Sequence, residues 1–595
     1  MRNLRSKRNQ RGQAMVLFAL VLPVLLIILT FVLDVGFSYF VSKRAQTAAD
    51  AAALAAVNQA LQQVGPGGQV TCSTADCQSA GVCPVSGNLH NACQYAAANG
   101  FSQLGQGGQQ TLSIAAGTSQ FAPSVPNIPV SYWTQVVAQQ TLPQWFSGLI
   151  SPTGLKPAAR ATAALRQSQL AGSLYLLNHA SDCFVSALDI GLVCGEDFLA
   201  LGFNGIQTGG GIYMASSNGS GLGLPAIAAG TIAVGGVTVQ APFTYLMGQG
   251  GIQNILAGTN WNAAPKNGFT DASLFADPMA GKGQPPPPTG LQDHPVPAGL
   301  ITGALLGGSP TVLPPGNYYS TLPLLNTALG TPITITGNVT FSDGQNPPCG
   351  GFCNYVFYGG IVTGVLSHVT FSPGRYVFAG AQPIAGLPGI GVSVGVNSVV
   401  QDLTPLSNGQ ITANTDAGEI FIFTNANFPG LVLPAAIRNS GLSFPQVQAG
   451  VSAGLNPSVT LHGLNANNTS VPAELLPFAP ALIWQDQANT TLKYTSNGML
   501  DLSCGTPCSN ILSVPGSQQM IIQASQQGGH AGVNLFGMIY GPRGSWLTIL
   551  GLLPGDTVAG PMQIITGALQ MALDASLDIQ QLPNPPTRLV AALVQ

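Results

Sequence analysis

The chain has 595 residues, 17 basic and 20 acidic, so only 6% is charged, against about 25% in an ordinary soluble domain. With 46% hydrophobic residues, 75 Gly and 45 Pro, this is not the low-hydrophobicity, high-charge composition of a disordered chain. No basic stripe follows the first residues, so nucleic acid is not an expected partner, since phosphate binding needs one.

Charge is placed unevenly. Residues 1–44 carry seven basic residues (Arg2, Arg5, Lys7, Arg8, Arg11, Lys43 and Arg44) against one acid, Asp34; the remainder carries ten basic and nineteen acidic. Residues 1–13 read as a cytoplasmic basic segment and 14–41 as a transmembrane helix. Ala14 to Leu33 is twenty uncharged residues, enough to cross the hydrocarbon core as a helix. Fifteen of them are Leu, Val, Ile or Phe, so insertion gains about −4 to −9 kcal/mol. Five cations precede the span and two follow it, which predicts a cytoplasmic N-terminus and an extracytoplasmic body. A cleaved signal has a shorter apolar core and a small-x-small exit. Here the core runs into bulky Val35-Gly36-Phe37-Ser38-Tyr39-Phe40, so a retained anchor is expected. Asp34, at the outer edge, reads as a solvated interfacial carboxylate, because edge positions tolerate charge.

Residues 42–63 read as a helical stem dominated by Ala and Gln, good helix formers. Phe40, Thr47, Leu54 and Leu61 recur every seven residues, and Val64-Gly65-Pro66-Gly67-Gly68 ends the pattern. A helix from Ala14 to Gln63 would be about 75 Å long. The periodicity fits both a stem packed on its own domain and lateral packing against neighbouring helices.

Four strings then carry a resemblance. They are Arg11-Gly12-Gln13, Phe18-Ala19-Leu20-Val21-Leu22-Pro23, Leu33-Asp34-Val35-Gly36 and Gln46-Thr47-Ala48-Ala49-Asp50-Ala51-Ala52-Ala53-Leu54-Ala55. Together, over about residues 11–60, they resemble the N-terminal segment of TadG-like proteins of the tight-adherence (Flp) pilus-assembly group. A looser patch, Val136 to Phe146 followed by Ala158 to Ala163, resembles the short extracytoplasmic region after the stem in such proteins. The resemblance implies a single-pass envelope protein of pilus assembly or adhesion, with Asp34 and Asp50 as partner contacts. Two departures limit it. Flp pilins carry Glu five residues after their cleavage Gly, and the corresponding residue after Gly12 is Leu17. The Asp-x-Ser-x-Ser metal motif of longer family members is also missing, since Asp271-Ala272-Ser273-Leu274-Phe275 and Asp574-Ala575-Ser576-Leu577-Asp578 lack the second Ser.

Residues 64–170 are rich in Gly, Gln and Ser and read as loops with a small α+β region. From 171 the texture becomes short β-type runs hinged at Gly, as in Pro332 to Phe341, Ser458 to Leu464 and Gln563 to Met571. Such hinged strands suit a coil that turns corners. Leu313-Pro314-Pro315-Gly316-Asn317-Tyr318 recurs as Phe371-Ser372-Pro373-Gly374-Arg375-Tyr376. The predicted fold is mainly β behind the N-terminal helix, with a Gly-rich parallel β-helix or solenoid-like body; β-sandwich domains are the alternative. The body divides into β-rich 171–277, a Pro-rich linker at 278–300, and a β-helix-like portion at 301–595.

All ten cysteines follow the span, as an exported, oxidised chain requires. Local pairing predicts Cys349–Cys353, Cys504–Cys508 and Cys183–Cys194, while Cys72, Cys77, Cys83 and Cys93 allow three connectivities. No His lies near the close pairs, which argues against zinc. Asn414-Thr415-Asp416 and Gly529-His530 echo pectin-degrading hydrolases, but the chain has no Asp-Asp pair, and its only adjacent acids are Glu196-Asp197. His90, His179, His294, His368, His462 and His530 are scattered, with no catalytic arrangement visible in sequence. The expectation is a non-enzymatic anchored envelope protein with no catalytic, cofactor or metal residues. Its expected partners are membrane lipid and other Tad pilus-assembly proteins or envelope polymers. A membrane-anchored β-helix enzyme acting on polysaccharide is the alternative.

Overall fold

The computed structural model describes residues 9–594 apart from short breaks and the longer stretches 143–154, 186–191, 216–230, 247–252, 267–274, 322–331, 380–388, 403–415, 440–446 and 487–517. Two units divide the chain: Met1–Ser168, Pro278–Lys282 and Thr587–Gln595 form the first, and Gln169–Asp277 with Gly283–Pro586 the second.

In the first unit, helix α1 (Asn9–Val64) runs 56 residues, about 84 Å, through Pro23. It stops where the sequence predicts. Gly65 takes a φ of +80° and donates its N–H to Leu61 O at 2.7 Å. The outer half of α1 packs through small side chains. Ala45, Ala48, Ala49, Ala52, Ala53, Ala56 and Ala60 are each 0% exposed and form one core with α2 (Gly87–Ala98) and strand Tyr132–Gln140. The seven-residue line is not the packed face: Phe40 and Thr47 are exposed and Leu54 and Leu61 only half-buried. Alanines three and four apart make a continuous flat stripe, whereas a strict seven-residue line drifts around a straight helix. Behind the stem lies a sheet in the order Gln78–Val82, Gln110–Gly117, Tyr132–Gln140, Ala158–Gln169 and Thr587–Leu593, its first four strands antiparallel. This region, expected as loops with a small α+β region, is α+β at its described residues.

Among the described residues the apolar half of α1 is mostly exposed. Met15, Phe18, Leu20, Leu25, Val32 and Leu33 are all more than half exposed. Of the expected span Ala14–Leu33, Ala14 and residues 26, 27 and 29–31 have side chains outside the described residues. Among the described residues no helix is long and apolar enough to cross a membrane.

The second unit is built of parallel ladders that recur in threes. Ile333–Thr336, Asn338–Phe341 and Cys353–Tyr358 lie on a first, second and third face. The next triplet, Ile361–Thr363, His368–Phe371 and Gly374–Ala379, pairs with them strand for strand, all parallel. A sandwich is made of antiparallel sheets, so the sandwich alternative does not describe these ladders. One corner falls at a glycine that the sequence marked, and another at one it did not. Gly337, at φ +75°, separates the first face from the second, and a Cβ there would meet Ala304 O. In strand Thr557–Thr566, Gly560, at φ +136°, lies against Leu535 O while the strand passes from the second face to the third.

Tier order does not follow chain order. Strand Thr557–Thr566 is continued on the third face by Gly172–Leu176, with Ile565 opposite Tyr175. Ala568–Leu573 and Ser576–Gln580 pair with Phe198–Leu201 and Asn204–Thr208. One tier is thus assembled from two stretches almost 400 residues apart. Residues 172–261 stack beyond the last C-terminal tier rather than before the first tier of the longer portion.

Rings fill the interior. Tyr355 stacks on Tyr376 at 5.0 Å and 2°, and Tyr376 on Phe421 at 5.3 Å. The third face is also buried on its outside. Val356, Val377, Ile422, Trp484 and Tyr540 follow one another in register and are 0% exposed. Asp277 and the Pro-rich stretch expected as a linker help to cover that column. Asp277 accepts from Tyr540 Oη at 2.9 Å, Gln284 from the Trp484 indole at 2.9 Å, and Pro286 O from Arg375. Asp293–Pro297 then joins the third face beside Gly316–Thr321.

Candidate functional site

The expected contact residues lie on α1. Asp34 is only 9% exposed, so it is not the solvated carboxylate that its edge position suggested; it has an interaction of its own in the fold. Asp50 is half-buried, and its Oδ1 accepts from Gln46 Nε2 at 2.7 Å; the same amide also reaches Arg160 O at 3.3 Å. The structure thus engages Asp50 within its own unit.

A buried polar network, not visible in sequence, fixes the stem to the α2 layer. Asn88 is 0% exposed and its Nδ2 donates to Ala56 O at 3.2 Å and to Tyr132 Oη at 2.8 Å. Tyr132 Oη donates to Asp76 O, and the Asp76 N–H donates to Asn88 Oδ1, each at 2.8 Å. The loop around Asp76 is closed by Cys72–Cys77, and the approach to α2 by Cys83–Cys93, which selects one of the three possible connectivities. Cys349–Cys353 is bridged as well. Cys183 lies opposite Cys194 in an antiparallel ladder, with both side chains outside the described residues. Cys504 and Cys508 are outside them altogether, as are Glu196-Asp197, Asn414-Thr415 and the string 271–274. The side chain of His530 also lies outside the described residues.

In the second unit the tiers gather ionisable groups that the sequence leaves apart. His462 Nδ1 meets Asp402 Oδ2, and the ring stacks on Phe536 at 4.6 Å. The His462 backbone N–H donates to Glu419 Oε2 at 3.3 Å. Asp402 is 1% and Glu419 0% exposed, and among the described residues Glu419 Oε1 and His462 Nε2 have no hydrogen-bond partner. Burial lowers the imidazole to about 4. Burial, then the Asp416 charge, raises the Glu419 carboxyl well above its ordinary range. The cluster can hold protons away from water, but it presents no open carboxylate pair to a substrate. Asp416 itself turns inward on its own loop, Oδ1 accepting from the Gly418 N–H at 3.0 Å. Among the described residues no group of three or more His, Cys, Asp or Glu side chains is placed to hold a metal ion.

No curated protein and no solved structure matches the chain. Residues 12–59 match the family model described as putative Flp pilus-assembly TadE/G-like. That stretch takes in most of the described length of α1, both the exposed apolar half and the alanine stripe. Residues 12–59 of this chain are thus similar to the TadE/G-like segment of Flp pilus-assembly proteins.

Proposed function

We propose that this is a non-enzymatic, membrane-anchored envelope protein of the Flp/Tad pilus-assembly type, in which a three-faced parallel β-helix is carried outside the membrane on α1. The observation that carries the reading is the exposed apolar sleeve of α1 among the described residues, from Met15 at 77% exposed to Phe40 at 54%, interrupted by the buried Asp34. So many exposed apolar side chains on one helix call for apolar surroundings. Five N-terminal cations favour a cytoplasmic start. The roles this supports are pilus assembly, adhesion or surface structure, with Tad proteins or envelope polymers as partners.

Protease added outside spheroplasts tests the topology. Digestion of the body with survival of a short N-terminal fragment is expected. Protection of the whole chain, or its release by alkaline carbonate, would defeat the anchor.

A further inference from the structure

At the outer end of the sleeve, two cations fold back on two rings. Lys43 Nζ lies 5.5 Å from the Tyr39 ring centroid and Arg44 Cζ 5.8 Å from that of Phe40. Each pair is four residues apart, and helical side chains lean toward the N-terminus. Both charges are therefore drawn toward the apolar half of α1 rather than out toward the stem. Tyr39 is 65% and Phe40 54% exposed, and Lys43 and Arg44 are exposed too. Neither cation has an ion-pair partner among the described residues. Arg44 also lies against Gly100, just past the C-terminus of α2, where carbonyls favour a cation. That contact accounts for part of the Arg44 position and for nothing at Lys43.

Cations on the outer side of a span run against the usual bias toward the cytoplasmic side. From Asp76 to Lys156 no charged residue intervenes, so this pair is a local concentration of positive charge. Aromatic rings belong at headgroup level, and basic side chains beside a span attract anionic lipid.

We propose that Tyr39, Phe40, Lys43 and Arg44 form a collar that binds the phosphate of an anionic phospholipid in the outer leaflet. The proposal rests on the anchor reading above. Charge complementarity selects the occupant: two unpaired cations over rings fit a phosphodiester at the interface, and a neutral headgroup gains nothing from them.

The test is full-length protein purified in neutral detergent and equilibrated with equal amounts of phosphatidylglycerol and phosphatidylcholine. Mass spectrometry then gives the ratio of the lipids retained. The five N-terminal cations contribute equally in every variant, so the comparison isolates the collar. Lys43→Gln should lower phosphatidylglycerol enrichment about fivefold, and adding Arg44→Gln should lower it further. The charge-keeping Lys43→Arg with Arg44→Lys should retain it, and 0.5 M salt should weaken it in the wild type. The exposed Lys43→Gln alone decides the matter if the double variant folds poorly. Unchanged enrichment in Lys43→Gln, or the bulk lipid ratio in the wild type, overturns the collar. Failure of the anchor reads differently, as release of the protein by carbonate.

Discussion

Trp484 donates its indole N–H to Gln284 Oε1 at 2.9 Å across 200 positions of sequence. Trp484 is fully buried although it belongs to the outward column of the third face, where it stacks on Tyr540 at 4.1 Å. Gln284 supplies the acceptor that a buried indole requires. Gln284→Ala should therefore lower stability by about 1–3 kcal/mol through the stranded donor. In a Trp484→Phe background the same change should cost much less, because no donor is left to strand. Urea midpoints for the four proteins of that cycle decide it. Equal losses in both backgrounds would reduce Gln284 to packing alone.

The strand that follows protects an edge. Among the described residues, Asp293–Pro297 pairs on one side only, with Gly316–Thr321. The Asn317 N–H donates to Gln292 O and the Ala298 N–H to Thr321 O, at 2.7 and 3.2 Å. Alternate residues of a parallel strand bond to the same neighbour, so the backbone groups of 292 and 298 face inward and those of 293, 295 and 297 face the open side, while the Asp293 carboxylate accepts from Asn317 Nδ2 at 2.9 Å. Two missing N–H groups discourage another strand from adding there. Pro295→Thr with Pro297→Val restores the donors without removing an existing bond. Sedimentation should then show concentration-dependent association while circular dichroism stays unchanged. A variant that remains as monodisperse as the wild type would show that the prolines do not guard this edge.

Local chemistry was legible in the sequence, and tier assignment was not. The hinge at Gly337 and the recurring Pro-Gly-x-Tyr turns are local. Tyr318 Oη donates to Pro314 O, and Tyr376 Oη makes the same bond four residues back to Ser372 O. Yet these two turns do not mark equivalent stacking positions, since Tyr376 stands over Tyr355 and Gly316, two residues out of step with Tyr318. Strand pattern shows which residues face inward and says nothing of which tier lies next. That is why Gly172–Leu176 finds Thr557–Thr566 without any signal in the sequence. Asp402 was hidden for the same reason. It occupies the place that Phe341 and Phe371 fill in earlier tiers, and only stacking brings His462 to it.

That cluster predicts opposite responses to acid and base. Burial lowers the His462 imidazole from 6.5 to about 4. Below about pH 6.5 the unfolded chain takes up a proton that the folded one refuses, so stability falls as pH drops toward 4. Glu419 has its folded value raised, so the folded chain keeps a proton that the unfolded one releases above about 4.5. Its contribution is therefore lost as pH rises. Glu419→Gln mimics the protonated acid and should flatten the alkaline side, gaining stability over the wild type at pH 8. His462→Gln should flatten the acid side between pH 6.5 and 4. Parallel stability–pH curves for wild type and both variants would remove the cluster as the source.

The stem makes the sharpest contrast between two readings of one helix. If the seven-residue line were its seam, Thr47 would point at a partner and a larger apolar side chain there would add packing. The structure instead leaves Thr47 exposed, its Oγ1 donating to Lys43 O at 3.2 Å, and buries Ala52 completely in the core shared with α2. Ala52→Leu adds three carbons where close approach depends on a methyl, and should destabilise by about 1–3 kcal/mol. Thr47→Leu should stay within about 0.5 kcal/mol of the wild type, as exposed substitutions do. Hydrogen exchange at the amides of residues 41–60, read in the full chain in detergent, separates the outcomes. Faster exchange in Ala52→Leu and wild-type rates in Thr47→Leu are expected. The reverse order would place the packing seam on the Phe40–Thr47–Leu54–Leu61 line and leave the alanine stripe without a role in holding the stem.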